Sequence, residues 1–70
     1  MMKKIKIKAN GKIHEVDTGK TIADFVAECS LNPRRCLVEL NGAVLKFDDF
    51  ENKNLSDGDI LEVMSLVAGG

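Results

Sequence analysis

The chain lacks any apolar run long enough to cross a bilayer, and it lacks a surplus of charge of either sign. Ten lysines and arginines stand against eleven aspartates and glutamates in 70 residues. A nucleic-acid partner would favour a basic excess, and a disordered segment a larger net charge with fewer apolar residues. The basic start, Met1 to Lys8, alternates lysines with isoleucines instead of carrying the unbroken apolar stretch of a signal peptide. The expectation is a cytoplasmic protein with no membrane partner. There is one histidine, His14, and there are two cysteines, Cys29 and Cys36, spaced C-x6-C. Metal sites want more ligands in tighter pairs and disulfides suit secreted chains, so the pair reads as reduced, partly buried thiols and no metal site is expected. His14 has no partners in sequence and reads as an edge-strand residue. Linkers, repeats and low-complexity segments are also missing, so residues 1–70 form one domain, near the lower size limit for a single core.

What is present is period-two patterning broken by turn signals. Lys4-Ile5-Lys6-Ile7-Lys8 predicts a half-buried strand with Ile5 and Ile7 inward. Asn10-Gly11 follows, a pair suited to the two positive φ values of a type I′ hairpin turn. Lys12 to Val16 returns in one of two registers: Val16 and His14 inward with Ile13 outward, or the reverse. Thr21 is placed as a helix N-cap with Asp24 where a capping-box acid reaches back. Ile22, Phe25, Val26 and Cys29 keep helical spacing and should form one apolar face, with Asn32-Pro33 stopping the helix. Gly19-Lys20-Thr21 lacks the upstream glycine of a phosphate-binding loop and reads as loop plus cap.

Cys36 to Leu40 predicts a third strand with Val38 and Leu40 inward and Leu37 and Glu39 outward. Asn41-Gly42 turns it into a short strand, Ala43-Val44-Leu45. Lys46 to Asn54 suits an irregular loop or one helical turn pinned by Phe47 and Phe50, after which Leu55 enters the core. The last strand follows the turn Ser56-Asp57-Gly58-Asp59, with Leu61 and Val63 on one face and Glu62, Met64 and Leu66 on the other. The order hairpin, helix, short hairpin, loop, strand is that of an α+β domain in which a mixed sheet of four to five strands packs on one helix. First and last strands should lie parallel at its centre, the β-grasp arrangement of ubiquitin-like proteins.

The final stretch carries the functional reading. Val67-Ala68-Gly69-Gly70 puts two residues without Cβ directly after a core-quality strand. Such a tail should be flexible and able to enter a channel too narrow for any side chain. A carboxylate on Gly70 would be ionised at neutral pH and able to attack an activated phosphate. Met64, Leu66 and Leu37 should lie on the helix-free face leading to that tail, where a partner must grip the body. Lys4, Lys6 and Lys8 should border the same face, as solvated strand positions or as charges steering an acidic partner.

Asn10-Gly11, the helix entry Gly19-Lys20-Thr21-Ile22, Leu40-Asn41-Gly42, and Leu55-Ser56-Asp57-Gly58-Asp59 leading to Val67-Ala68-Gly69-Gly70 together resemble the ThiS family, the sulfur carriers of thiamine biosynthesis. The likeness covers the whole chain; the doubled Met1-Met2 departs from it only by lengthening the first strand. The resemblance implies that an E1-like, ThiF-like adenylyltransferase uses ATP and Mg²⁺ to adenylate the carboxylate of Gly70. A sulfur donor protein then displaces AMP to leave a thiocarboxylate, and a ThiG-like thiazole synthase takes the sulfur. It implies that the chain itself binds no cofactor and is a substrate of its partners, not an enzyme. Competing readings are the small subunit of molybdopterin synthase, a ubiquitin-like modifier joined to lysines through Gly70, and a β-grasp binding module without tail chemistry.

Overall fold

A computed structural model of the chain describes residues 3–66. Strand β1 (Lys4–Ala9) alternates as expected: Ile7 and Ala9 are buried, Ile5 is half-buried, and the lysines are exposed. Asn10 and Gly11 turn the chain at φ 51° and 83°. Two successive positive φ values match the right-handed strand twist, and asparagine and glycine tolerate them best. Strand β2 (Lys12–Asp17) returns antiparallel, pairing Ile5 with Val16 and Ile7 with His14. The open register resolves with Val16 buried, His14 half-buried edge-to-face against the Phe25 ring, and Ile13 65% exposed.

Helix α1 (Ile22–Glu28) begins with the predicted capping box. The Asp24 amide donates to Thr21 Oγ1 and the Thr21 amide to Asp24 Oδ2, at 3.1 and 3.2 Å. The next two orphan amides are met from a distant loop: Ile22 donates to the Lys53 carbonyl and Ala23 to that of Phe50. That loop is therefore part of the helix terminus, and it buries Phe50 and Leu55 beneath the helix.

The helix stops before the proline, which corrects the sequence reading. Ser30 takes φ 62°, the Ser30 amide donates to the Ala27 carbonyl, and the Leu31 amide reaches back to Val26. This is a Schellman ending with serine in the usual glycine position. Cys29 consequently becomes the C-cap and is exposed, where an inward place on the apolar face was expected. Pro33 instead opens a 3-10 turn, Pro33–Arg35. Cys36 is half-buried as expected, and both thiols are free.

Strand β3 (Cys36–Leu40) buries Val38 and Leu40, and β4 (Ala43–Leu45) returns antiparallel through Asn41-Gly42, again at positive φ. Strand β5 (Ile60–Ser65) lies between β1 and β3, giving the order β2-β1-β5-β3-β4. It runs parallel to β1 and antiparallel to β3. The inner face, Ile7, Val16, Val38, Leu40, Leu61 and Val63, packs against Ile22, Phe25 and Val26 of α1 with Phe50 and Leu55. Burying one such side chain stabilises by about 1.5–3 kcal/mol, so these positions fix the register. A helix crossing a mixed sheet with parallel central strands is the β-grasp arrangement.

β1 pairs with only the first two residues of β5. Its ladder with β5 ends at Ala9 and Leu61, after which the Asn10 amide donates to the Leu61 carbonyl. The Asn10 side chain then takes over, accepting from the Val63 amide at 2.8 Å and donating to its carbonyl at 3.0 Å. Asn10→Gly keeps the turn geometry and removes these two bonds. Urea unfolding is expected to show a loss of about 1–2 kcal/mol. Ser30→Gly, by contrast, should gain about 0.5–1 kcal/mol in the same assay, since glycine relieves the left-handed strain.

Candidate functional site: the helix-free face of the sheet

Because α1 covers one face of the sheet, the alternate residues of each strand form a second face open to solvent. Cross-strand register sets its layout. Leu37 of β3 stands directly opposite Met64 of β5, and Glu39 opposite Glu62. Val44 of β4 faces Glu39 from the other side. Towards β1, Ile60 stands opposite Lys8, which in turn stands opposite Ile13 of β2. Met64 is 46% and Leu66 55% exposed, and Leu37 is half-buried. The three sequence-predicted docking residues thus come together: Leu37 and Met64 as a cross-strand pair, and Leu66 just beyond, where its amide donates to the Arg35 carbonyl at 2.6 Å.

Ile60 and Val44, 52% and 61% exposed, extend the same face and were not singled out from sequence. Ile60 shares the parity of Glu62 and Met64, so the period-two rule that placed Met64 also places Ile60. The facing glutamates could be found only through strand register, which a single strand does not reveal.

The lysines are placed less usefully for steering than the sequence suggested. Lys4, Lys6 and Lys8 do lie on this face. Since β1 is parallel to β5 and Lys8 meets its first residue, Lys4 and Lys6 sit towards the end opposite Leu66. Lys4 is also paired with Asp17 at 2.9 Å. The hydrogen bond from Lys4 holds the Asp17 carboxyl below its ordinary range, and the same contact raises Lys4.

No charged side chain is buried among the described residues, and no cluster of metal-ligating groups forms there. Burial, followed by the nearby Cys29, pushes the Cys36 thiol up, and its Sγ donates to the Asn32 carbonyl at 3.2 Å. A neutral, hydrogen-bonded thiol is a weak nucleophile. Cys29 opens onto a groove on the helix side with His14, Phe25, Leu31 and Val63, away from the open face of the sheet. Among the described residues no helix is long and apolar enough to cross a membrane. The predicted reacting end, Gly69 and Gly70, lies outside the described residues.

The comparisons with known proteins agree with this architecture. The crystal structure of a thiamine biosynthesis protein, ThiS, from Geobacter metallireducens is similar at a TM-score of 0.75 with 28% identity, over 94% of this chain and 100% of that one. A solution structure of a thiamine biosynthesis protein from the same organism matches at 0.74 and 28%, over 94% of this chain and 88% of that one. An N-terminal ubiquitin-like domain, 16% identical over 99% of this chain and 79% of the other, shares the fold at a TM-score of 0.60. A comparison with curated protein sequences finds no match. The sequence model of the ThiS family matches residues 4–70, so the chain belongs to the ThiS family.

Proposed function

We propose that this chain is a sulfur carrier of thiamine biosynthesis whose Gly70 carboxylate is the reacting group. The observation that carries this reading is that the family match runs through Gly70 and so includes the Gly-Gly end as well as the folded body. The similarity to thiamine biosynthesis proteins supports the pathway.

The chemistry asks little of the body. A carboxylate is a poor electrophile until one oxygen becomes a good leaving group. An E1-like partner using Mg-ATP supplies this by forming the acyl-adenylate and releasing pyrophosphate. A sulfur nucleophile then adds to the acyl carbon and expels AMP, leaving a thiocarboxylate for thiazole synthase. The chain is a substrate in this cycle, and acids, bases and metal ligands belong to its partners. The body's tasks are recognition and aim. Gly70 stands four positions beyond Leu66 in sequence, a span of at most roughly 14 Å when extended. A partner that grips Leu37, Met64 and Leu66 therefore holds the body close to the bond being made, and proximity of this kind supplies much of a barrier reduction.

Incubated with its adenylating enzyme, Mg-ATP and sulfide, the chain is expected to exchange one terminal oxygen for sulfur, read by intact-protein mass spectrometry. Gly70→Ala should slow the exchange by crowding the acyl carbon, and deletion of Gly69 and Gly70 should abolish it. Deletion should barely move the melting temperature, because the buried core of the described residues ends at Val63. A chain unmodified by every cognate enzyme, or joined to lysines of other proteins, contradicts the carrier reading. Activity only with a molybdopterin synthase large subunit would move the chain to another pathway.

The grip is tested separately. Met64→Glu and Leu66→Glu should each weaken binding to the adenylating enzyme at least about tenfold by placing a charge in the covered patch. Both should keep stability within about 0.5 kcal/mol, as solvent-facing substitutions do. Val63→Glu puts a charge in the core and should unfold the domain. Circular dichroism melts read the difference.

A further inference from the structure

The facing glutamates make no ion pair among the described residues. Glu39 and Glu62 stand directly opposite on adjacent strands of the open face. Like charges in that relation repel and weaken a sheet. Neither carboxylate is within ion-pair distance of a cation among the described residues; the ion pairs formed there are Lys4–Asp17 and Lys20–Glu28. Lys8 is the cation of β1 nearest in register, but it stands opposite Ile60, one face position away, and makes no pair with Glu62.

Around the two carboxylates the face is apolar. Leu37 and Met64 lie on the side towards Leu66, Ile60 lies on the other side, and Val44 flanks Glu39 on β4. A partner that covers these four must also cover the glutamates between them. Removing two adjacent carboxylates from water without a counter-charge costs more than the apolar contacts return. Glu39 is already half-buried in the free chain.

We infer that the adenylating enzyme presents an arginine, flanked by apolar side chains, that inserts its guanidinium between Glu39 and Glu62. This inference rests on the docking role proposed above for the open face. A guanidinium is preferred to an ammonium because its planar fork offers five donors, enough to bond two carboxylates at once, and because it is less strongly hydrated. The pair then acts as a specificity element. It weakens the free domain slightly and rewards the partner that brings the right cation to the centre of the patch.

The test compares Glu39→Gln, Glu62→Gln and the double variant with wild type, in affinity for the adenylating enzyme over a range of salt concentrations and in thermal unfolding of the free chain. The expected result has two parts. Affinity falls at least about tenfold in the double variant with a flatter salt dependence. The melting temperature of the free chain stays level or rises, because repulsion has been removed. Double-variant binding as tight as wild type overturns the inference. So does a loss of affinity that tracks a loss of stability, since that makes the glutamates structural. Met64→Glu in the same assay keeps the two claims apart. If it binds normally, the docking face itself is wrongly placed; if it binds weakly while the glutamine variants bind normally, only the arginine contact fails.

Discussion

The last strand is held by two asparagines, and the rest of the structure depends on that grip. Asn10 and Asn41 each occupy the first position of a hairpin turn, both at φ 51°. Each then lends its side chain to β5. Asn41 receives the Ile60 amide on Oδ1 at 2.9 Å while its own amide donates to the Ile60 carbonyl at 2.7 Å. From the opposite edge Asn10 holds Val63 with its side chain alone, Oδ1 accepting from the Val63 amide and Nδ2 donating to the Val63 carbonyl. The two turns therefore clamp β5 near its beginning and its end. A buried strand whose amides and carbonyls lacked partners would cost about 1–3 kcal/mol for each group, so these asparagines satisfy groups of β5 that lie beyond its ladders with β1 and β3.

Clamping fixes register, and register decides which side chains form the open face. A slip of one residue would expose Leu61 and Val63 and bury Glu62 and Met64. With β5 locked, Leu37, Ile60, Met64 and Leu66 lie towards the open side of the sheet, and the facing glutamates are locked among them. The helix contributes from the other side. Its first amides are closed by the Lys53 and Phe50 carbonyls, which anchors the loop that leads through Leu55 into β5. One set of contacts thus sets both the stability of β5 and the layout of its solvent-facing side chains.

Much of this was legible in the sequence because strand period and turn chemistry are local. Both asparagine-glycine turns, the Thr21–Asp24 capping box, and the facing of Met64 and Leu37 follow from spacing alone. The reading failed where a local rule met a tertiary one. Pro33 is a strong stop signal, yet the helix ends earlier because Ser30 adopts the left-handed conformation and Leu31 packs back on the core. Cys29 kept the apolar helical spacing but fell past that ending, and so became exposed. The second use of Asn10 and Asn41, and the meeting of Glu39 with Glu62, depend on residues at least nineteen positions apart in sequence. No local window contains them.

We propose that the open face of β3 and β5 delivers the chain end to its activating enzyme. The most direct test is amide chemical-shift mapping of the isotope-labelled chain, titrated with the unlabelled adenylating enzyme. The prediction is that signals of Leu37, Glu39, Ile60, Glu62, Met64 and Leu66 shift or broaden first, while those around His14, Phe25 and Cys29 stay in place. Changes confined to the helix-side groove, with the open face unmoved, would contradict it.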